Sequence, residues 1–390
     1  MAVQMSVSWG ASAASARNYG KAEALRSDRR GDCAIAALEF ALGAAVVLIV
    51  LSDIFRTILL PRPTHHALRL APLLGKTLVP TWLRVAARFR HAGTRQTIRG
   101  SLGPFLLVAA LFIWVAALFV GFGLMLHATG DDVVPRATLW DAIYYAASCF
   151  LTLGLSPATA DGLARVVCVA SGMVGLASVT VVATFLLSVQ TELNHREVLV
   201  LRTEVSAGRP PTGLALLESF AAAGMIDELA SLFRNWEQWA AHVLHSHRAN
   251  PVLIDFRSAD EDGEWLAVFR AVLDAANLLR AAVDPKGIEA GVAAARLLLA
   301  MGGRTARDLA KLLQLDEAGE GADEPSSREL RRARERLQAA GYALDADESA
   351  AIAQFDETAA NYRHYLAALC RHLGMTQVTL DQRNRTLEDA

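Results

Sequence analysis

The sequence is short of cysteine. It has four in 390 residues (Cys33, Cys149, Cys168 and Cys370), and none lies near another. That spacing fits neither a disulfide framework nor a metal-ligand set, so they read as free thiols behaving as small apolar side chains. A surplus of one charge sign is also missing. Against 40 acidic residues stand 38 basic ones, a net charge of −2, which removes any global bias toward nucleic acid. Residues 191–390 hold no Gly-x-Gly-x-x-Gly after a strand and no Walker loop, which argues against a nucleotide-type regulatory domain. No local Ser-His-Asp or Cys-His arrangement appears, so no enzyme and no cofactor are expected. A voltage-sensing helix would need regularly spaced basic residues, and the first apolar segment offers only Arg56. Two long stretches, Ser101–Gly130 and Val166–Gln190, contain no Lys, Arg, Asp or Glu at all.

Those two gaps decide the protein class. A hydrocarbon core about 30 Å thick needs about 20 apolar residues as a helix, and both runs exceed that. With 53% hydrophobic residues and a mean hydropathy of +0.29, a wholly soluble protein is excluded. A third, weaker segment covers residues 33–60. Its longest uncharged stretch, Phe40–Ser52, is too short to span alone. It can cross if Glu39 lies near one interface and Asp53 and Arg56 near the other. Asp53 and Arg56 are three apart, so on a helix they share a face and can pair. The competing reading is an interfacial helix. Residues 1–32 are expected to be a flexible segment with no signal-peptide core of their own, and Leu59-Leu60-Pro61-Arg62-Pro63 offers no small-residue cleavage site.

Acid is absent from Pro61–Gly100, which carries Arg62, Arg69, Lys76, Arg84, Arg88, Arg90, Arg95 and Arg99. This asymmetry places the linker 61–100 on the cytoplasmic side, residues 131–162 outside, and the C-terminal region inside. The N-terminus is then external. Within the linker, residues 64–92 interleave Leu68, Leu70, Leu73, Leu74, Trp82, Leu83 and Phe89 with the basic residues, the pattern of a helix lying on the membrane surface. The two strong spans are expected at about 103–127 and 165–190.

Between them, Thr138–Leu151 reads as a helix with Thr138 as N-cap and Pro135 just before it. Fourteen residues rise only about 21 Å, too little to cross. A short apolar helix between two spans is a re-entrant segment, whose backbone must be shielded by protein or line a wet cavity. Thr152-Leu153-Gly154-Leu155-Ser156-Pro157 then leads back to a span.

Span, short helix, Thr-x-Gly loop, span: residues 101–190 resemble the pore module of the tetrameric potassium channel family. The extra leading span and basic linker are similar to a bacterial subgroup of it. The resemblance implies a homotetramer in the cell inner membrane with potassium as the permeant ion and no other metal. It implies that residues 152–157 form the filter, in which Thr152, Leu153, Gly154 and Leu155 offer oxygens in place of the ion's hydration shell. It implies that Trp140, Tyr144 and Tyr145 pack the pore helix against that filter. This sequence departs from the family's Thr-Val-Gly-Tyr-Gly-Asp at Leu155, Ser156 and Pro157. Serine at 156 is strained by about 1–2 kcal/mol if that position needs positive φ, and Pro157 has no N–H to give.

In the last span, Gly172 and Gly175 fall where the resembled family bends its inner helix. The other reading is close packing between membrane helices. Thr180, Thr184 and Ser188 recur every fourth residue; they line a vestibule or bond back to their own i−4 carbonyls. From 191 to 373 a helical period dominates, predicting a cytoplasmic helical domain. Helices are expected at Leu214–Ala222, Met225–Arg248, Trp265–Val283, Ile288–Met301, Ala306–Leu315, Arg328–Ala340 and Glu348–Leu373. Trp265–Val283 reads as amphipathic. Asp316–Ser327 reads as a loop and residues 374–390 as a polar tail. His242, His245 and His247 lack the Cys or carboxylate that would complete a metal set, and Trp236 and Trp239 read as core or subunit contacts.

The fold class is therefore an all-α membrane protein: one transmembrane helix, then the span–pore helix–filter–span module, then the cytoplasmic α-helical domain. Three functions compete. One is passive cation conduction, potassium first and weak selectivity as its variant. The second is a non-conducting membrane sensor or scaffold whose tail binds a protein partner. The third, a secondary transporter, is disfavoured by the lone re-entrant segment and the lack of a repeat.

Overall fold

A computed structural model describes residues 33–57, 84, 88, 101–155, 158–256, 258, 265–315, 327–373 and 375. The N-terminal segment, the surface helix expected in the basic linker, Ser156 and Pro157, the acidic loop and the polar tail lie outside the described residues, apart from a few isolated positions. The described residues are almost entirely helical. Helix α1 covers Cys33–Thr57, α2 Leu102–Ala128, α3 Leu139–Phe150 and α4 Gly162–Ala207. Then follow α5 (Gly213–Ala222), α6 (Leu229–Ala249), α7 (Trp265–Ala282), α8 (Glu289–Leu312), α9 (Ser327–Ala339), α10 (Glu348–Ala359) and α11 (Arg363–Leu373). Two compact units result. Of the described residues, one joins 33–57 with 109–185, and the other joins 101–108 with 186–375.

In the first unit, α1, α2 and α4 are each long and apolar enough to cross a membrane. Helix α1 buries one stripe, Val47, Val50 and Ile54, and Val47 lies against Gly121 of α2. The helices cross at two glycines: a Cβ on Gly43 would stand 2.6 Å from the Gly121 carbonyl oxygen. Backbones come this close in membranes because dispersion and hydrogen bonding, not water exclusion, hold helices together. The two carboxylates of α1 both find partners on α2. Glu39 Oε1 lies 2.8 Å from His127 Nδ1, and Asp53 Oδ2 accepts the Trp114 indole N–H at 2.8 Å. The expected Asp53–Arg56 pairing is thus corrected: Asp53 is 4% exposed and turned toward α2. Two strands of two residues, β1 (Val133–Val134) and β2 (Thr159–Ala160), pair antiparallel with Val133 opposite Ala160.

The second unit is a helical bundle around α7. This helix was expected to be amphipathic, but it is buried on nearly every side, including Arg270, Asp274 and Asn277. Three neighbours cover it. Helix α5 approaches so closely that a Cβ on Gly213 would lie 2.5 Å from Ala275 N, α8 brings Gly302 against Leu273, and α10 offers the Phe355 carbonyl to Asn277 Nδ2. The polar interior is matched in part, with Arg270 Nε and Asn277 Oδ1 buried without a hydrogen-bond partner among the described residues. Asp274 receives Tyr362 Oη at 2.7 Å and lies 3.0 Å from Arg363 Nη2. Two expected boundaries are corrected. Ile288–Met301 and Ala306–Leu315 fall on the single helix α8, which runs through both glycines, and Gly302 is a place of close packing against Leu273, not a break. Glu348–Leu373 is two helices, interrupted at residues 360–362 as Tyr362 turns into the core.

The end of α4 is itself a core element of this second unit. Arg196 is fully buried; its guanidinium donates to the carbonyls of Leu253 and Phe256, pairs with Glu197 and lies 4.8 Å from the Trp265 ring centroid. From α6, Trp239 Nε1 donates to the Arg196 carbonyl and Trp236 Nε1 to Thr203 Oγ1. Both tryptophans are core. His242 Nε2 meets Glu192 at 2.7 Å, and His247 is buried beside Trp265.

Candidate functional site

The segment between α2 and α4 is built from its caps upward. Thr138 caps α3: its Oγ1 accepts the Asp141 N–H at 3.3 Å, while the Thr138 N–H donates to Asp141 Oδ2 at 3.2 Å. This reciprocal pairing satisfies two of the N–H groups that a helix start leaves orphaned. Twelve residues rise about 18 Å, so α3 cannot cross. The segment's flanks are pinned by Asp132. Its carbonyl accepts the Asp161 N–H at 2.8 Å, and its Oδ2 accepts the Leu163 N–H at 3.0 Å, at the first turn of α4.

Helix α3 packs into the module along one face from Ala142 to Phe150. Gly123 of α2 takes the Ile143 side chain with no room for a Cβ, and the Phe119 and Phe150 rings meet edge to face at 5.2 Å. Against α4, Ser171 Oγ donates to the Ala146 carbonyl at 3.2 Å. A Cβ on Gly172 would stand 3.3 Å from the Cys149 carbonyl oxygen, and one on Gly175 only 1.9 Å from that of Phe150. Helix α4 runs unbroken through both glycines. Their geometry here is that of close approach, with Gly175 the tighter of the two. Tyr145, Cys149 and Cys168 lie close together between the two helices.

The loop after α3 turns back on the helix end. Leu153 N–H donates to the Ser148 carbonyl at 2.9 Å, and Leu155 N–H donates to Ser148 Oγ at 2.9 Å. Ser148 therefore holds both ends of the tripeptide 153–155. Two residues take positive φ, Thr152 at 55° and Gly154 at 64°. Glycine carries no penalty there, whereas threonine does. Thr152 Oγ1 donates to the neighbouring Leu151 carbonyl at 2.7 Å. Leu153 and Leu155 are exposed on this chain, as are Trp140 at 79% and Tyr144 at 53%. Of the three aromatic residues expected beside the loop, Tyr145 is the one partly buried within the chain. In α4, Thr180 and Thr184 donate to the carbonyls of Leu176 and Thr180. Among the described residues no group of three or more His, Cys, Asp or Glu side chains is arranged to hold a metal.

Sequence reasoning missed Ser148, Asp132, the Cys149–Cys168 contact and the Asp53–Trp114 bond. The separations in the last, 61 residues, and in the Asp132–Leu163 bond, 31 residues, leave no local pattern to read. Ser148 carried a faint signal, a polar residue in the last turn of an otherwise apolar helix.

Residues 106–192 match a family model described as ion channel. The match spans α2, α3, the loop and the first part of α4. No curated protein and no solved structure matches the chain. The family match and the three apolar helices together support an ion channel in a membrane.

Proposed function

We propose that this chain is one subunit of a homotetrameric channel that conducts potassium passively across the cell inner membrane. The observation that carries the reading is the capped, non-crossing helix α3, which delivers a backbone loop tied by Ser148 into the midst of an ion-channel family match. The ion path runs along Thr152, Leu153, Gly154 and Leu155. Positive φ at every second residue, Thr152 and Gly154, is a backbone condition for successive carbonyls to turn to one side of a chain. Such carbonyls replace water around a dehydrated cation. One chain supplies one loop, so closure by rotational symmetry needs further copies. The exposed Trp140, Tyr144, Leu153 and Leu155 fit surface that neighbouring copies would cover. The acid-free linker puts 61–100 and the C-terminal domain on the cytoplasmic side.

Leu155, Ser156 and Pro157 favour a weakly selective form of the same activity. Leu155 has no aromatic hydroxyl and Pro157 no N–H to lend the outer half of the loop, and selectivity depends on how firmly such carbonyls are oriented.

The test is potassium and sodium flux in liposomes for wild type, Gly154→Ala, and a triple variant carrying Leu155→Tyr, Ser156→Gly and Pro157→Asp. Wild type conducts, the triple variant discriminates more sharply for potassium, and Gly154→Ala loses flux. Equal flux through wild type and Gly154→Ala would remove the path from this loop. Silence of both wild type and the triple variant would move the sensor or scaffold reading ahead.

A further inference from the structure

A cleft of about 600 Å³ opens within the C-terminal unit, where α7, α8 and the corner between α10 and α11 meet. Four arginines line it, Arg280, Arg296, Arg304 and Arg307, against one acid, Glu357. Three of them sit on α8. At about 100° per residue, positions 296, 304 and 307 fall within roughly 80° of arc, along about 16 Å of helix. Arg280 faces them from the last turn of α7.

These cations are poorly neutralised by the protein. Arg296 has no hydrogen bond or ion pair among the described residues. Arg304 Nε stands 3.7 Å from Asp308 Oδ2, an oxygen that Arg248 already holds at 2.5 Å. Arg307 rests 5.8 Å from the Tyr365 ring centroid. Arg280 Nη1 donates to Thr358 Oγ1 at 2.7 Å, yet its Nε is buried with no acceptor. A buried charged donor without a partner is costly, as is a row of like charges along a shared wall. Both costs are relieved by an anion.

We propose that this cleft binds a soluble anion carrying two or more linked phosphates. Guanidinium forks match phosphate oxygens in pairs. The row of arginines is longer than a single phosphate or a small polycarboxylate, and suits an extended polyphosphate chain. The cavity is of ordinary small-ligand size. Thr358 and Asn361 add neutral polar groups at the cleft's edge.

Full-length protein in detergent is titrated calorimetrically with inorganic tripolyphosphate, orthophosphate and citrate. Tripolyphosphate binds saturably, and the other two bind at least tenfold more weakly. Arg296→Gln and Arg304→Gln, both at exposed positions that leave the fold intact, each weaken tripolyphosphate about ten- to hundredfold, the worth of a charged hydrogen bond. Arg332→Gln, on α9 outside the cleft, leaves it unchanged. Absence of saturable binding, equal affinity in the cleft variants, or citrate binding as tightly as tripolyphosphate overturns the proposal. The titration is repeated in nanodiscs of neutral lipid and in discs containing cardiolipin. Loss of binding in the cardiolipin discs assigns the cleft to a lipid headgroup and overturns the soluble ligand.

Discussion

Gly175→Ala is the substitution that bears hardest on how α3 is held. The added Cβ would fall 1.9 Å from the Phe150 carbonyl oxygen and 2.8 Å from its carbon. Even a close carbon–oxygen contact is about 3.3 Å, so the end of α3 must retreat by roughly 1.4 Å. The obstacle is backbone, which cannot rotate away. Overpacking of this kind costs about 1–3 kcal/mol, and a clash with backbone belongs at the upper end. Alanine returns about 1 kcal/mol of helix propensity, leaving a net loss of about 2 kcal/mol. Gly172→Ala is the internal control. Its Cβ would meet only the Cys149 oxygen, at 3.3 Å, a contact relieved by a shift of a few tenths of an ångström, so the propensity gain offsets a small cost and leaves it close to wild type. Thermal unfolding in detergent should rank Gly175→Ala lowest, with Gly172→Ala close to wild type. Phe150 lies two residues before Thr152, so the retreat also displaces the loop, and liposome flux should fall for Gly175→Ala alone. If Gly175→Ala unfolds with wild type while both variants change flux to a similar degree, the glycines serve bending and the packing argument fails.

The remaining expectations concern orientation, pH and the tail's interior. In a cysteine-free background, a cysteine at exposed Arg136 should react with an impermeant reagent added outside, and one at position 94 should not; the reverse pattern inverts the topology. His247 is held neutral, pushed down to about 3 by burial and by the Arg196 guanidinium nearby. Its folded value lies below the unfolded one of about 6.5, so its contribution is complete above pH 6.5 and is lost as pH falls toward 3. At pH 5 the loss is about 2 kcal/mol, and His247→Leu should flatten denaturation curves followed by tryptophan fluorescence between pH 6.5 and 4; an unchanged slope removes His247 as the cause. Asp274→Ala strands Arg363 and the Tyr362 hydroxyl in the core and should cost about 3–5 kcal/mol; a variant as stable as wild type in denaturant would refute the charge matching.

The parts legible in the sequence are those written locally. Charge-free runs gave the spans, Thr138 with Asp141 three residues on gave the start of α3, and helical periodicity gave most of the C-terminal helices. The failures are all long-range. Gly302-Gly303 looks like a break because a glycine pair is a poor helix former, but Leu273 presses against Gly302, which has no room for a side chain, while Gly303 is only in ordinary contact with Asn361. Helix α7 looks amphipathic because Leu266, Phe269, Val272, Leu273, Ala276 and Leu279 share a face, and the groups that meet Asp274 and Asn277 on the other lie 78 to 89 residues away. In the candidate site, Thr152 and Gly154 could be picked from the motif. Ser148 could not be given its role, since that depends on a loop folding back onto its own helix.

The two carboxylates of α1 bear on the order in which the chain is made. With Glu39 beside His127 at one surface, Asp53 lies about 21 Å further along its helix, roughly 9 Å inside the opposite edge of a 30 Å core. A lone helix with an acid at such depth partitions poorly, because an aspartate near the middle of a span costs about 2.5–3.5 kcal/mol on insertion. The groups that meet these acids reside on α2 and leave the ribosome 61 and 88 residues later. Helix α1 therefore waits on α2: stable insertion belongs to the pair entering as a hairpin, with the Gly43–Gly121 crossing closing the backbones together. A chain truncated before Trp114 would offer the translocation machinery a first segment that it has little reason to release into lipid.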